Sequence, residues 1–383
     1  MYFVLSSNIL STHINTIGRV IVQKNNLRIL DCFLFDIKDN VLTITASDND
    51  TTFVTHLALN ECDGDMCFAV NAKILQDAIK EISDQPLRFE FDANSFELIV
   101  RYQNGQYKLM AQDASEYPTL KETEGTQISL TMHAPTLFTS ISRALVSAAK
   151  ENLRPQLNAI CFDVRKESLN IVACDGNQLS RTKIQQSSDI QGVFLLSMRP
   201  ATLLKNMLTK EQENVNLNLS ERSAVIETEN FKMVCRLLEG KYPNYESIIP
   251  TKNHNVLTIN RMALVSALRR IMIFANPNAV LVTFRLSNST LNISSQDVDF
   301  GKSAEENMLC DYTGIPMNIA FKGSIMLDLL QNLDSEEVVI KLASPTSPGL
   351  IEPAEQKENE EVLLLTAPAL VSVSYTHLRA HET

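Results

Sequence analysis

The chain has 383 residues, 44% of them apolar and 21% charged, and its 34 basic and 45 acidic side chains give a net charge of −11. That length exceeds one ordinary core and predicts two or three domains of a globular protein. It contains no run of about 18 apolar residues to predict a membrane span, "MYFVLSSNIL" lacks the basic start of a secretory signal, and seven scattered cysteines predict reduced thiols in a cytosol.

The first element reads as a helix over 6–24, because Leu10, Ile14, Ile17 and Ile21 share one face at helical period. Phe35, Ile37, Leu42 and Ile44 then alternate around a short polar gap, which predicts a β-hairpin running to Asp48. The pair in "CDGDMC" (62–67) has four residues between its thiols and no histidine beside it, so it reads as an acidic turn rather than a zinc site. A second helix over 72–83 and the strand-like runs "LRFEFD", "FELIVRY" and "YKLMAQD" follow, then the Pro-containing connector "ASEYPTL" at 114–120.

The same order then begins again. A helix over 133–150 carries Leu137, Ile141, Leu145 and Ala148 on one face; a hairpin spans Phe162 to Asp175; a helix covers 198–210; and "EGKYPNYESIIP" closes the unit at 239–250. The third round has a helix over 260–273 with Leu264, Leu268 and Ile271, a hairpin from Phe284 to Asp297, and a helix over 322–333. All three hairpins fit F-x-[IVL]-x4-L-x-I-x3-D, with 13 residues from Phe to Asp, and the copies are offset by 127 and then 122 residues. This predicts an α+β fold of three repeated domains, 1–124, 125–251 and 252–383, each with two helices packed on antiparallel sheets. The period is too long for a solenoid.

Charge is sorted along these elements. The six predicted helices hold thirteen of the 34 basic residues but three of the 45 acidic ones. Arg19, Arg143, Lys150, Arg269 and Arg270 fall on the sides opposite the apolar stripes. Ordinary solvated helix faces would explain any one helix. Six with one bias in an acidic chain point to a shared surface for a polyanion.

Catalytic signatures are missing. Neither G-x-x-x-x-G-K-[ST] nor G-x-G-x-x-G occurs, nor H-E-x-x-H or G-x-S-x-G, and the six histidines have no metal spacing. No metal, cofactor or catalytic residue is expected. Asp48, Asp175 and Asp297 recur once per repeat, which suits a turn-capping role.

With these residues assembled, the chain resembles the bacterial DNA polymerase III beta subunit, the sliding clamp family, over about residues 1 to 365. The most specific pieces are "LRILDCFLFDI", "LNAICFDV", "VACDGNQLS", "EGKYPNYESIIP" and "IAFKGSIMLDLL". The resemblance implies three clamp domains forming half of a closed ring, a homodimer whose helices line a hole around double-stranded DNA without reading sequence. It implies no catalysis, a cytoplasmic location and no membrane. The implied partners are the DNA polymerase III catalytic subunit, the clamp loader, repair polymerases, mismatch-repair proteins and ligase, bound through short peptides.

Residue by residue, the reading makes Arg19, Lys24, Lys73, Lys80, Arg143, Lys150, Arg199, Lys205, Lys210, Arg269 and Arg270 face DNA; Lys24, Lys73, Arg199 and Lys205 match or neighbour the family's basic positions. A partner-peptide pocket would use Arg154, Leu157, Cys174, Gly176, Asn177, Leu179, Pro243 and Ile248, with Asn177 and Gln178 replacing a more basic pair at its rim. Tyr107 and Leu109 of one copy would meet Ile273 and Phe274 of the other, with Glu305 and Glu306 as ionic partners for Lys73 or Arg101. From about Thr366 the family pattern is lost, and "SYTHLRAHET" reads as an artefactual tail, so 366–383 is set apart as a replaced end that would impair peptide binding. Two other functions compete: a metal-dependent nuclease or phosphoryl-transfer enzyme built on the recurrent Asp residues, and a repeat scaffold that does not bind DNA.

Overall fold

The computed structural model describes residues 1–22, 27–118, 128–151 and 153–369. Its six helices are α1 (Ser7–Ile17), α2 (Ala72–Lys80), α3 (Ala134–Ser147), α4 (Met198–Leu208), α5 (Arg261–Met272) and α6 (Gly323–Gln331), two per repeat. Several begin on a capping side chain: Asn71 accepts the Ile74 N–H at 3.0 Å, and Asn260 accepts that of Ala263 at 2.9 Å.

The helix expected over 6–24 is shorter. α1 stops at Ile17, and Gly18–Val20 continue as a 3-10 turn. At this end the Ile14 carbonyl accepts both the Gly18 N–H and Gln76 Nε2, the latter at 3.0 Å. A β-carbon on Gly18 would lie 2.5 Å from that nitrogen, so a larger residue there would push the Gln76 amide aside.

The predicted hairpins are present. In the first, Phe35 pairs with Ile44 and Ile37 with Leu42; in the third, Phe284 pairs with Ile293 and Leu286 with Leu291. All but Leu286, at 2%, have no exposure, so the period-2 pattern marks the core face.

Packing groups the three repeats into two compact units. The first holds residues 1–141, 164–166 and 188–240; the second holds 142–163, 167–187 and the chain from 241. The middle repeat divides because its sheets are continuous with both neighbours. In the first unit its strand Phe231–Arg236 pairs with Thr51–Ala58 of the first repeat. In the second unit its strand Gln178–Gln185 pairs with Glu360–Thr366 of the third. The domain boundary expected near 124 falls at 119–127, outside the described residues.

The first unit also contains a five-stranded sheet ordered Glu61–Asp63, Tyr2–Ser6, Pro86–Asp92, Glu97–Tyr102 and Gly105–Met110. The second contains a four-stranded one, ordered Lys302–Leu309, Thr290–Asp297, Leu281–Ser287 and Met317–Lys322. Each therefore has an edge strand paired on one side only among the described residues, Gly105–Met110 in one and Lys302–Leu309 in the other.

Candidate functional site

Many basic residues on strands are paired with carboxylates, although Arg285, Lys302 and Lys322 on strands have no carboxylate partner among the described residues. Lys38, Arg88, Arg101, Lys108, Arg181, Arg236 and Lys341 lie on strands, and each is within ion-pair reach of an Asp or Glu. Arg19, Lys73, Lys80, Lys150, Lys210 and Arg269 are exposed and have no carboxylate partner among the described residues. Arg19 sits in the turn after α1, Lys80 ends α2, Lys210 follows α4 and Arg269 lies in the last turn of α5. Cations there also complement the negative ends of the helix dipoles. Lys205 is half-buried, its ammonium 5.8 Å from the centroid of the Phe138 ring. Lys24 lies outside the described residues.

Three of the expected DNA-facing arginines are engaged within the chain. Arg143 is a correction: at 3% exposure it is a core residue. Its guanidinium bonds the Glu360 carboxylate, lies 3.3 Å from Asp334 Oδ2, and donates through Nε to the Asn332 carbonyl at 3.0 Å. The strand bearing Glu360 comes from 217 residues away, so the polar side of α3 is covered by a partner that helical periodicity cannot foresee. Arg199 donates to Asp48 Oδ2 at 2.9 Å and to the Val20 carbonyl at 2.6 Å. Arg270 grips Glu306 with two bonds, Nε to Oε2 at 3.0 Å and Nη2 to Oε1 at 2.6 Å. That grip lowers the Glu306 carboxyl below its ordinary range and raises Arg270. Within the chain, then, Glu306 is taken by Arg270, and Arg101 by Glu90 at 3.0 Å.

The recurrent aspartates cap turns. Asp48 Oδ1 accepts the N–H groups of Asp50 (3.1 Å) and Thr51 (2.8 Å); Asp175 Oδ1 accepts those of Asn177 (2.8 Å) and Gln178 (2.9 Å). Asp297 Oδ1 accepts that of Asp299 at 3.2 Å. These local bonds explain the spacing found in the sequence. No cluster of three or more metal-capable side chains occurs among the described residues.

The Asp175 turn also arranges the expected pocket residues. Cys174 is buried, which pushes its thiol up, and its Sγ accepts the Gly176 N–H at 3.3 Å. Gly176 adopts φ +98°, with open space where a β-carbon would point. The Asn177 carbonyl accepts the Ala367 N–H at 2.7 Å, and Thr366 is wholly buried in its strand. The chain thus remains hydrogen-bonded past Thr366 to Ala369, whose N–H reaches the Ala320 carbonyl at 2.8 Å; residues 370–383 of the suspected tail lie outside the described residues.

Two expectations change here. Gln178 is a buried brace rather than a rim residue, donating to the Val146 carbonyl at 3.1 Å and to Asp175 Oδ2 at 3.0 Å. Leu179 is wholly buried and offers no surface. Arg154 and Pro243 are exposed, Leu157 is half-buried and Ile248 is 42% exposed. The connector holding Ile248 is pinned by Tyr245, whose hydroxyl bonds Asp163 Oδ2 at 2.6 Å. Tyr242, beside Pro243, is buried near Cys161 and Cys174, and that burial pushes its hydroxyl up. The sequence reading missed both tyrosines, although each stands in the quoted connector.

Four of the six expected subunit-contact residues lie on the two edge strands. Tyr107 and Leu109 lie on Gly105–Met110, and Glu305 and Glu306 on Lys302–Leu309. Ile273 and Phe274 follow α5 at 73% and 40% exposure. Unpaired strand edges are templates for another chain.

Comparison with known proteins gives one family throughout. The model of the DNA polymerase III beta subunit N-terminal domain matches residues 1–121, that of its central domain 131–244, and that of its C-terminal domain 246–367. The beta sliding clamp of Pseudomonas aeruginosa is 23% identical over 366 residues, covering 95% of this chain and 99% of that protein. That of Haemophilus influenzae is 25% identical over 368 residues, with the same coverage. A crystal structure of the P. aeruginosa DnaN sliding clamp bound to griselimycin shares the fold at a TM-score of 0.91 and 22% identity, covering 97% of this chain and all 100% of that one. The DNA polymerase III beta subunit of Thermotoga maritima does so at 0.87, also with 22% identity and the same coverage.

Proposed function

The chain belongs to the DNA polymerase III beta subunit family, and from that premise we propose that two copies close head to tail into a ring around duplex DNA. It is a DNA sliding clamp of replication, a processivity factor without catalysis of its own. The observation that carries the ring reading is a set of exposed cations at or beside helix ends, Arg19, Lys73, Lys80, Lys210 and Arg269, with no carboxylate partner among the described residues. A surface of separate cations, with no element built to read bases, holds phosphates loosely and lets the protein slide.

Arg19, Lys73, Lys80, Lys150, Lys205, Lys210 and Arg269 are the DNA-facing set in this reading. Arg199 and Arg270 contribute less, because Asp48 and Glu306 already hold them. Closure joins the edge Gly105–Met110 of one copy to Lys302–Leu309 of the other, with Ile273 and Phe274 buried at the joint. A head-to-tail contact must close on itself or make filaments, and closure suits a protein that encircles DNA. The Asp175 turn with Arg154, Leu157, Cys174, Pro243 and Ile248 takes a short partner peptide with apolar anchors. Polymerase, clamp loader, repair polymerases, mismatch-repair proteins and ligase are its occupants, and the cytoplasm is its location.

The test is retention on nicked circular DNA after loading by a cognate clamp loader, before and after the circle is cut. Retention that disappears on cutting, with weak salt dependence beforehand, is the expected result. Equal, steeply salt-dependent binding to both forms would make the protein an ordinary electrostatic DNA binder. Reversing Arg19, Lys73 and Arg269 to Glu together should reduce loading, whereas Arg143→Glu should unfold the second unit instead.

A further inference from the structure

We propose a second peptide-docking cleft, in the third repeat, formed by the counterparts of the pocket residues in the second; the peptide comparison rests on the pocket reading above. The offset of 122 carries Arg154 to Asn276, Leu157 to Ala279, Cys174 to Gln296, Gly176 to Val298 and Asn177 to Asp299. All five line one cleft of about 620 Å³. The first repeat packs one of the corresponding positions into its core. Leu30, the counterpart of Leu157, and Tyr117 of its own connector are buried in one cluster with Ile29 and Cys32. Tyr117 closes it by donating its hydroxyl to the Cys32 carbonyl at 3.3 Å.

The turn beside the third cleft is shaped differently from that of the second repeat. In the second repeat Asp175 N–H meets the Gln178 carbonyl, leaving Gly176 and Asn177 at the tip. In the third, Asp297 pairs with Lys302, and the Gly301 N–H turns back to Val298 instead. Val298 and Phe300 are lifted to 80% and 70% exposure.

Chemistry at the walls sets the occupant. Ala279, Leu281 and Val298 offer a small aliphatic wall. Asn276 Nδ2 fixes the carboxylates behind it, donating to Asp299 Oδ2 at 3.3 Å and to buried Asp297 Oδ1 at 3.4 Å. Asp299 and Glu305 share the cleft with a single guanidinium, Arg285, and Ser303, Ala304 and Glu305 also lie on the strand at the proposed subunit joint. The cleft therefore takes a partner-protein segment with an aliphatic residue next to a lysine or arginine, unlike the apolar anchors of the second repeat.

The test uses the full chain with methyl-labelled Ala and Val, titrated with two dipeptides, acetyl-Leu-Lys-amide and acetyl-Leu-Glu-amide. Saturable shifts of the Ala279, Val298 and Ala304 methyls by the lysine peptide are expected. Asp299→Asn should weaken that binding at least about threefold, the scale of one exposed charge pair, and the glutamate peptide should bind more weakly by a similar factor. Absence of shifts at these methyls, or equal shifts from both peptides unaffected by Asp299→Asn, would overturn the cleft. Failure of circle retention by the unaltered chain would instead strike the clamp reading, and leaves the methyl result standing by itself.

Discussion

Where Phe231–Arg236 meets Thr51–Ala58, five residue pairs join the first and second repeats, and α1 lays His13 against them. Where Gln178–Gln185 meets Glu360–Thr366, seven pairs join the second and third, and α3 lays Arg143 against them. The two junctions correspond element by element, yet the helix side chain laid against the sheet is neutral at the first and a buried charge at the second. The guanidinium groups that cross the first, Arg199 to Asp48 and Arg236 to Asp50, are exposed. His13 is hydrogen-bonded to Thr55 Oγ1 at 2.6 Å, and Thr55 to the Asn230 carbonyl at 2.8 Å. Arg143 and Glu360 are 3% and 5% exposed at their side chains. By the 127-residue offset, Thr16 stands in the first repeat where Arg143 stands in the second. Repetition thus preserved the sheet-to-sheet joint and left its fastening free to vary.

The difference makes the second junction the more vulnerable to losing one side chain. Arg143→Ala leaves Glu360 buried without its cation and should cost about 3–5 kcal/mol, read as a shift in the urea midpoint. Arg143→Met with Glu360→Leu should recover most of that, because a packed apolar pair carries no stranded charge. A single Arg143→Ala that left stability intact and lowered the salt dependence of DNA retention would restore its expected place on the DNA surface.

At the first junction the matching change is milder. Thr55→Val keeps the shape but strands the His13 ring nitrogen and the Asn230 carbonyl, at about 1–3 kcal/mol. Its measurement is the same unfolding curve, with exchange of the Thr51–Ala58 amides as the local readout. A loss equal to that of Arg143→Ala would remove the distinction between neutral and ionic fastening.

The turns beside the junctions rank lower still. Asp175→Ala releases two backbone N–H groups and Asp297→Ala one, so the first should cost about 1–2 kcal/mol and the second less. Equal losses, or loss of a metal-dependent hydrolysis, would contradict the capping role.

Local pattern and distant pairing explain what could be read in advance. Phe35, Leu42 and their counterparts announce the hairpins because side chains alternate along a strand, and apolar helical stripes announce the first helix of each repeat. The capping aspartates were legible because their bonds reach only two or three residues. Arg143 was misplaced because Glu360 and Asp334 approach from the third repeat, and Gln178 because its acceptor is a backbone carbonyl of α3. The first helix was read too long because its apolar period runs on through a 3-10 turn after Ile17. Sequence period gives a residue's side of an element, but not what covers that side.

The smallest expected effect separates the junctions by pH. Thr55 spends its hydroxyl proton on Asn230, so its oxygen accepts from His13 Nδ1, which fixes the proton there. Burial beside Phe231, whose ring centroid is 5.1 Å away, lowers the imidazole below its ordinary 6.5. Protonation at Nε2 keeps the bond to Thr55 but places a charge in a partly desolvated site. The unfolded chain takes up that proton at higher pH than the folded one, so stability is complete above about 6.5 and declines as pH falls through the lower folded value. Exchange of the Phe53–Thr55 amides, corrected for its intrinsic rate, should therefore accelerate between about pH 7.5 and pH 5.5, and His13→Gln should flatten the change. Gln178–Gln185 and Glu360–Thr366 contain no histidine, so their amides should respond less. An equal response at both junctions, persisting in His13→Gln, would place the proton elsewhere in the chain.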